Sequence, residues 1–198
     1  MKQRGFDPET IKAEEARLEH YQDGLELCPI IEAAFADVKL GGGVGLFEAQ
    51  GLDDYADLAT CARYRADDEK DDWRRIPSES LRRCNSSLSF FDAEGMRFHL
   101  PAYLLCDLRD EYGFGMALCL SQYYTTSPDK FSLLDSQQRI AVRQFLLHIV
   151  HDPAYDYDRP HIERALDEYW IWPSEPQPRS AEPHKTAGES DSLAIHCG

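Results

Sequence analysis

The sequence predicts a mostly α-helical protein of the α+β class, with one small antiparallel β-hairpin near residues 88–100. Apolar residues recur at helical spacing in several segments of the 198-residue chain. Hydrophobic residues make up 42% of the chain, which is enough for a core. Within 88–100, apolar runs flank Asp92-Ala-Glu-Gly95, a composition typical of a tight turn. We therefore expect one acidic helical domain over residues 1–172, followed by a mobile polar tail over 173–198.

The helices are predicted from caps and apolar stripes. Asp7 suits an N-cap, because Pro8 follows at the first helical position. In the segment 46–65 we expect Leu52, Tyr55 and Leu58 on the core side. The apolar segment 116–124 fits either a strand or a buried helix. The predicted helices span residues 8–22, 28–38, 46–65 (as one or two helices), 78–84, 101–112, 135–151 and 159–170.

The net charge of −15, from 36 acidic and 21 basic residues, narrows the classes of partner. Nucleic acids and anionic lipids call for a basic surface, so neither is expected. A basic protein partner is favoured, although a dense acidic surface can also serve solubility alone. The expected partner-binding residues are Asp53, Asp54, Asp57, Asp67, Asp68, Asp71 and Asp72.

Two further motifs resemble ligand sites at first sight. The glycines of Leu40–Gly45 suggest a phosphate loop, but Leu46-Phe47 stands where Lys-Ser/Thr is required, and a helix precedes the loop instead of a strand. A helix-ending loop is therefore expected. His148 and His151 share a helix face near two aspartates, but the spacing is not that of a zinc motif. The sequence predicts no metal and no cofactor.

Arg97 and His99 form the remaining candidate for chemistry. In a hairpin they would point to one face, which could hold a small-molecule substrate or could simply be solvated. The six cysteines lack a C-x-x-C pair and are expected as buried thiols. The N-terminus carries no apolar signal region and no long apolar run exists, so a cytoplasmic location is expected.

The segment Leu88–Tyr103, LSFFDAEGMRFHLPAY, resembles the signature of a bacterial family of unknown function. Two further segments are similar to that family in order and spacing: Ile31–Phe35, and Asp72-Trp73 followed by Ile76-Pro77. The resemblance covers about residues 28–110 and carries no catalytic residues.

Small acidic bacterial proteins of this kind resemble immunity proteins, which neutralise toxins from neighbouring cells. The resemblance implies a non-enzymatic protein that covers the basic cleft of a toxin, plausibly a nuclease. The alternatives are an enzyme that uses the Arg97/His99 face and a housekeeping adaptor.

Overall fold

The computed structural model describes residues 7–171, and every regular element in that range is helical. Short 3-10 turns at Trp73–Arg75, Asn85–Ser89, Pro128–Phe131 and Pro153–Tyr155 join some of the helices. Within residues 7–171 no helix is long and apolar enough to cross a membrane. The tail predicted over 173–198 lies outside the described residues. The α-helices are α1 (Pro8–Glu26), α2 (Cys28–Ala34), α3 (Leu46–Asp53), α4 (Leu58–Asp67), α5 (Ser78–Arg83), α6 (Ala93–Leu108), α7 (Ala117–Thr126), α8 (Ser136–Ile149) and α9 (Arg159–Glu168).

The predicted β-hairpin near 88–100 is wrong, because most of that segment belongs to helix α6. Asp92 is the N-cap of α6, and its Oδ1 accepts a hydrogen bond from Gly95 N at 2.8 Å. The same Oδ1 accepts from Val44 N at 3.0 Å. The four residues that resemble a tight turn are therefore the capped first turn of a helix, a role for which aspartate is equally suited.

Helix α6 lies at the centre of the protein. Every residue from Phe98 to Cys106 is buried, so this part of the helix has no polar face. Helices α1, α2 and α5 pack against it. Pro101 lies within α6 and does not begin a new helix, and its missing N–H leaves the carbonyl of Arg97 without its helical donor.

The other helices complete the core through buried polar contacts as well as apolar packing. Helices α7, α8 and α9 pack on one another, and α2 packs on both α6 and α8. The segment that fitted a strand or a buried helix is helix α7. Buried rings donate hydrogen bonds to distant carbonyls: Trp170 Nε1 to Leu120 O at 2.8 Å, and Trp73 Nε1 to Phe35 O at 2.9 Å. Such contacts satisfy polar atoms inside the core.

The cysteines of the described residues are free, buried thiols, as expected. Burial raises the pKa of the Cys119 thiol to about 12, so this thiol stays protonated and unreactive at neutral pH. Cys197 lies outside the described residues.

Candidate functional site

The acidic segments predicted to bind a partner meet around helices α3 and α4. The two helices cross at Gly51, where an added Cβ would lie 2.8 Å from Tyr64 Cδ2. The loop between them turns sharply, since Ala56 N donates to Gly51 O at 2.8 Å. We call this region, residues 46–72, the acidic corner.

Two large apolar side chains project from the acidic corner into solvent. Tyr55 is 96% exposed and Leu58 is 87% exposed, and neighbouring Leu52 is also exposed. Their expected place on the core side is therefore wrong. Tyr55 also has a positive φ of 55°, a conformation that costs a bulky residue free energy. Exposed aromatic and aliphatic anchors of this kind are typical of protein-binding surfaces.

The aspartates of the α3–α4 loop are neighbours of these apolar side chains along the chain. Asp54 is exposed and accepts from Gln50 Nε2 at 3.1 Å, and Asp53 is half-buried. Asp57 caps α4 through Thr60 N at 2.7 Å, and this backbone hydrogen bond lowers the pKa of its carboxyl. Asp57 is therefore both a structural cap and a surface charge.

The predicted acids at the end of α4 occupy different environments. Asp67 and Asp71 are exposed, and their carboxylates make no hydrogen bond or ion pair with any other residue between 7 and 171. Asp72 is half-buried and accepts from Arg74 N at 3.2 Å. Asp68 is only 6% exposed. Of these four, Asp67 and Asp71 are the free surface charges.

Asp68 has a structural role inside the acidic corner. Its carboxylate accepts from Phe47 N at 2.7 Å and from Glu48 N at 3.3 Å, which caps the N-terminus of α3. Burial raises the pKa of Asp68 despite these hydrogen bonds. The carboxylate is therefore engaged in the fold, and little of the side chain is exposed.

Two adjoining cavities open at the acidic corner. One, of about 550 Å³, is bordered by Asp67, Asp68 and Asp71, and the other, of about 510 Å³, by Asp54 and Asp67. Phe47 and Asp67 border both. Four of the seven predicted partner-binding residues thus line concave surface.

The glycine loop before α3 does not offer its amides to an anion. Val44 N donates to Asp92, and Gly45 N donates to Glu48 Oε2 at 3.1 Å. An added Cβ on Gly43 would lie 2.5 Å from Gly95 N, so the loop packs directly on the first turn of α6. These residues therefore form a packed loop that leads into α3 and not a phosphate loop, and they do not end a helix as expected, because α2 already ends at Ala34.

Arg97 and His99 do not share a face, because residues two apart in a helix point to nearly opposite sides. The predicted shared face is wrong for that reason. His99 is fully buried, its Nδ1 lies 2.7 Å from Gly95 O, and its ring stacks on Phe91 with centroids 4.4 Å apart. Burial lowers the pKa of His99 to about 4.

His148 of α8 and His151, which follows the helix, lie in different environments. His148 stacks on His20 of α1 with ring centroids 4.0 Å apart, and burial lowers the pKa of His148. His20 Nε2 lies 3.5 Å from Asp152 Oδ2, whereas His151 is exposed. No group of three or more His, Cys, Asp or Glu side chains able to hold a metal occurs among residues 7–171.

A further cavity of about 440 Å³ lies beside this histidine pair. Asp107 Oδ2 accepts there from Tyr155 OH at 3.0 Å and from Met116 N at 3.1 Å. Burial raises the pKa of Asp107 to about 6. Sequence analysis missed this pair, since Asp107 and Tyr155 are 48 positions apart and lie in no motif.

The fold and the acidic corner define a helical protein with an exposed, negatively charged surface that carries two exposed apolar side chains, Tyr55 and Leu58. A family of unknown function, DUF6714, matches residues 23–173. The chain therefore belongs to that family, and the match begins within α1. No curated protein matches the chain. No solved structure matches it either.

Proposed function

We propose that this protein is an immunity-type inhibitor that binds a basic, cytoplasm-acting antibacterial toxin, such as a nuclease, through the acidic corner. The observation that carries the proposal is the pair of exposed apolar side chains, Tyr55 and Leu58, set among aspartates of the same loop. Apolar anchors provide affinity after contact, whereas surrounding charge accelerates encounter and selects a partner of opposite sign.

The charge part of the proposal is tested by reversing three carboxylates that hold no helix cap. In the triple variant Asp54→Lys, Asp67→Lys and Asp71→Lys, the local negative potential is lost while the caps made by Asp57 and Asp68 remain. We expect the association rate with the partner to fall about tenfold or more at low ionic strength. The partner is first captured from the native host and identified by mass spectrometry, and the rate is then measured by surface plasmon resonance.

A matched control separates local potential from net charge. Glu15, Glu19 and Glu26 are exposed on α1, so changing all three to lysine alters the net charge equally and leaves the acidic corner intact. This control should reduce the rate far less. Equal loss in both triple variants would show that overall charge, and not this surface, controls association.

The apolar part is tested with Tyr55→Ala and Leu58→Ala. Both side chains are almost fully exposed, so stability should change little, whereas each truncation should accelerate dissociation at least tenfold if the side chain is an anchor. Inhibitory function is read separately, as protection of cells that express the captured toxin. Binding without protection would favour the adaptor alternative.

A further inference from the structure

His99 borders the larger cavity of the acidic corner and holds an unfilled hydrogen-bond acceptor. A carbonyl oxygen only accepts, so the short contact with Gly95 O places the proton on Nδ1 and leaves Nε2 with a free lone pair. Nε2 has no hydrogen-bond partner in the described chain, and the residue is fully buried. An unpartnered buried polar atom keeps an uncompensated desolvation penalty, which a bound donor would offset.

Most other charged groups around this cavity, which we call the His99 cavity, are already engaged. Glu69 Oε1 accepts from three backbone amides, those of Lys70, Asp71 and Asp72. The ammonium of Lys70 donates to Ala66 O and Asp68 O, both at 3.1 Å. The Asp68 carboxylate caps α3, as described above. These groups therefore have little capacity left for a ligand.

Three acceptors around the cavity remain unengaged, namely His99 Nε2 in the wall and the carboxylates of Asp67 and Asp71. The guanidinium of Arg75 also borders the cavity and is largely exposed, 3.9 Å from Asp72 Oδ2. The carboxylates of the lining nevertheless outnumber its two cations, Lys70 and Arg75. Leu46, Phe47 and Ile76 line the same cavity and would cover an aliphatic stem. A long side chain with a cationic, donor-only end matches this combination of groups.

We propose that the His99 cavity receives a lysine or arginine side chain of the partner, whose terminal N–H donates to His99 Nε2. This inference rests on the proposed function, because it names the group with which a basic partner enters the acidic corner. Asp67 and Asp71 attract the charge, and the apolar wall packs on the methylene stem. Because His99 Nε2 is shielded from solvent in the free protein, side chains of the cavity wall must shift before a donor reaches it, and the donor must be carried by a long side chain.

The test uses the full chain with ¹⁵N-labelled histidine rings and blocked amino acids as probes. Nα-acetyl-lysine amide and Nα-acetyl-arginine amide should each shift the Nε2 resonance of His99 saturably at millimolar concentration. Nα-acetyl-norleucine amide, which has the stem without the charge, should not. An equal shift with norleucine, or no shift with either cationic probe, would overturn the inference.

Two sets of variants, one at the carboxylates of the cavity and one at His99, test the inference in separate ways. Asp67→Asn with Asp71→Asn should weaken binding of the lysine probe at least threefold. The control, Asp37→Asn with Asp129→Asn, removes two exposed carboxylates that do not line the cavity and should leave the affinity unchanged. His99→Phe keeps a ring beside Phe91 but removes the acceptor. With this variant the lysine probe should bind no more tightly than the norleucine probe.

The two proposals fail in different ways. If the cationic probes bind and the captured partner is unaffected by the Asn double variant, the cavity is a cation site and partner binding lies elsewhere. If the acidic corner binds the partner but no probe shifts Nε2, the cavity inference is wrong and the proposed function stands.

Discussion

His99, which is fully buried, and Asp107, which is half-buried, are ionisable groups whose pKa values move in opposite senses. Burial lowers the pKa of His99 from 6.5 to about 4, and burial raises the pKa of Asp107 from 3.8 to about 6. Both shifts favour the neutral form in the folded protein. Their effects on stability therefore oppose each other across the same range of pH.

The sign of each contribution follows from which state binds more protons. Below about pH 6.5 the unfolded chain protonates its histidine while the folded chain does not, so the contribution of His99 is lost as the pH falls towards 4. Between about 4 and 6 the folded chain keeps a proton on Asp107 that the unfolded chain releases, so the contribution of Asp107 is lost as the pH rises through 6.

Single variants should reveal these opposed contributions. The unfolding free energy of each protein is expressed relative to its own value at pH 7. On this basis we expect His99→Phe to be more stable than the wild type at pH 4 by up to about 3 kcal/mol. On the same basis, Asp107→Asn should be less stable than the wild type at pH 4 by about 2 kcal/mol. This is less than the whole change in pKa would give, because Asp107 is partly exposed. Urea unfolding at each pH measures both, and parallel pH profiles for variants and wild type would refute the assignment.

At the scale of elements, the helices with a clear apolar stripe were predictable, whereas only the second half of the central helix, from Pro101 to Leu108, was predicted as helical. The segments 135–151 and 159–170 were predicted as helices, and they contain α8 and α9. Helix α6 is buried all round from Phe98 to Cys106, so this stretch shows no clear apolar stripe at helical spacing, and Asp92-Ala-Glu-Gly95 suits a turn as well as a cap. Local sequence cannot decide between them, because the contact with Val44 that favours the cap is 48 positions away.

The same limit applies to the candidate site. The density of aspartates indicated the acidic corner, since charge is visible in composition alone. The exposure of Tyr55 and Leu58 was missed, because apolar residues at helical spacing normally face the core. What decides their exposure is the sharp loop between α3 and α4, which depends on the positive φ of Tyr55.

The double role of Asp92 makes the start of α6 sensitive to one substitution. Asp92→Ala removes the hydrogen bonds from Gly95 N and Val44 N together, and we expect it to cost about 2 kcal/mol of unfolding free energy, the upper end for a cap. Asp7→Ala removes the fully exposed cap of α1 and should cost clearly less than Asp92→Ala. Chemical denaturation compares them, and equal costs would show that the contact with Val44 contributes nothing.

At the scale of the whole molecule, the excess of negative charge sets the response to salt. With a net charge of −15, repulsion among carboxylates opposes the compact state, and added ions screen that repulsion. The ion pairs that salt would weaken are mostly exposed, such as Arg17–Glu14, and contribute little.

We therefore expect the melting temperature at neutral pH to rise by several degrees between low ionic strength and about 0.5 M sodium chloride, where screening acts over only a few ångströms. Differential scanning calorimetry measures the change, with glucose at equal osmolality as the uncharged control. A melting temperature that stays constant or falls with salt would show that net repulsion does not limit stability.

At Tyr55 the stability of the backbone and the display of an exposed aromatic ring are opposed. A glycine there would adopt the left-handed conformation without the steric cost that tyrosine bears, roughly 1–2 kcal/mol. It would also delete the most exposed aromatic ring of residues 7–171. Directed evolution for heat resistance alone should therefore discard this tyrosine, and only selection that demands recognition should retain it.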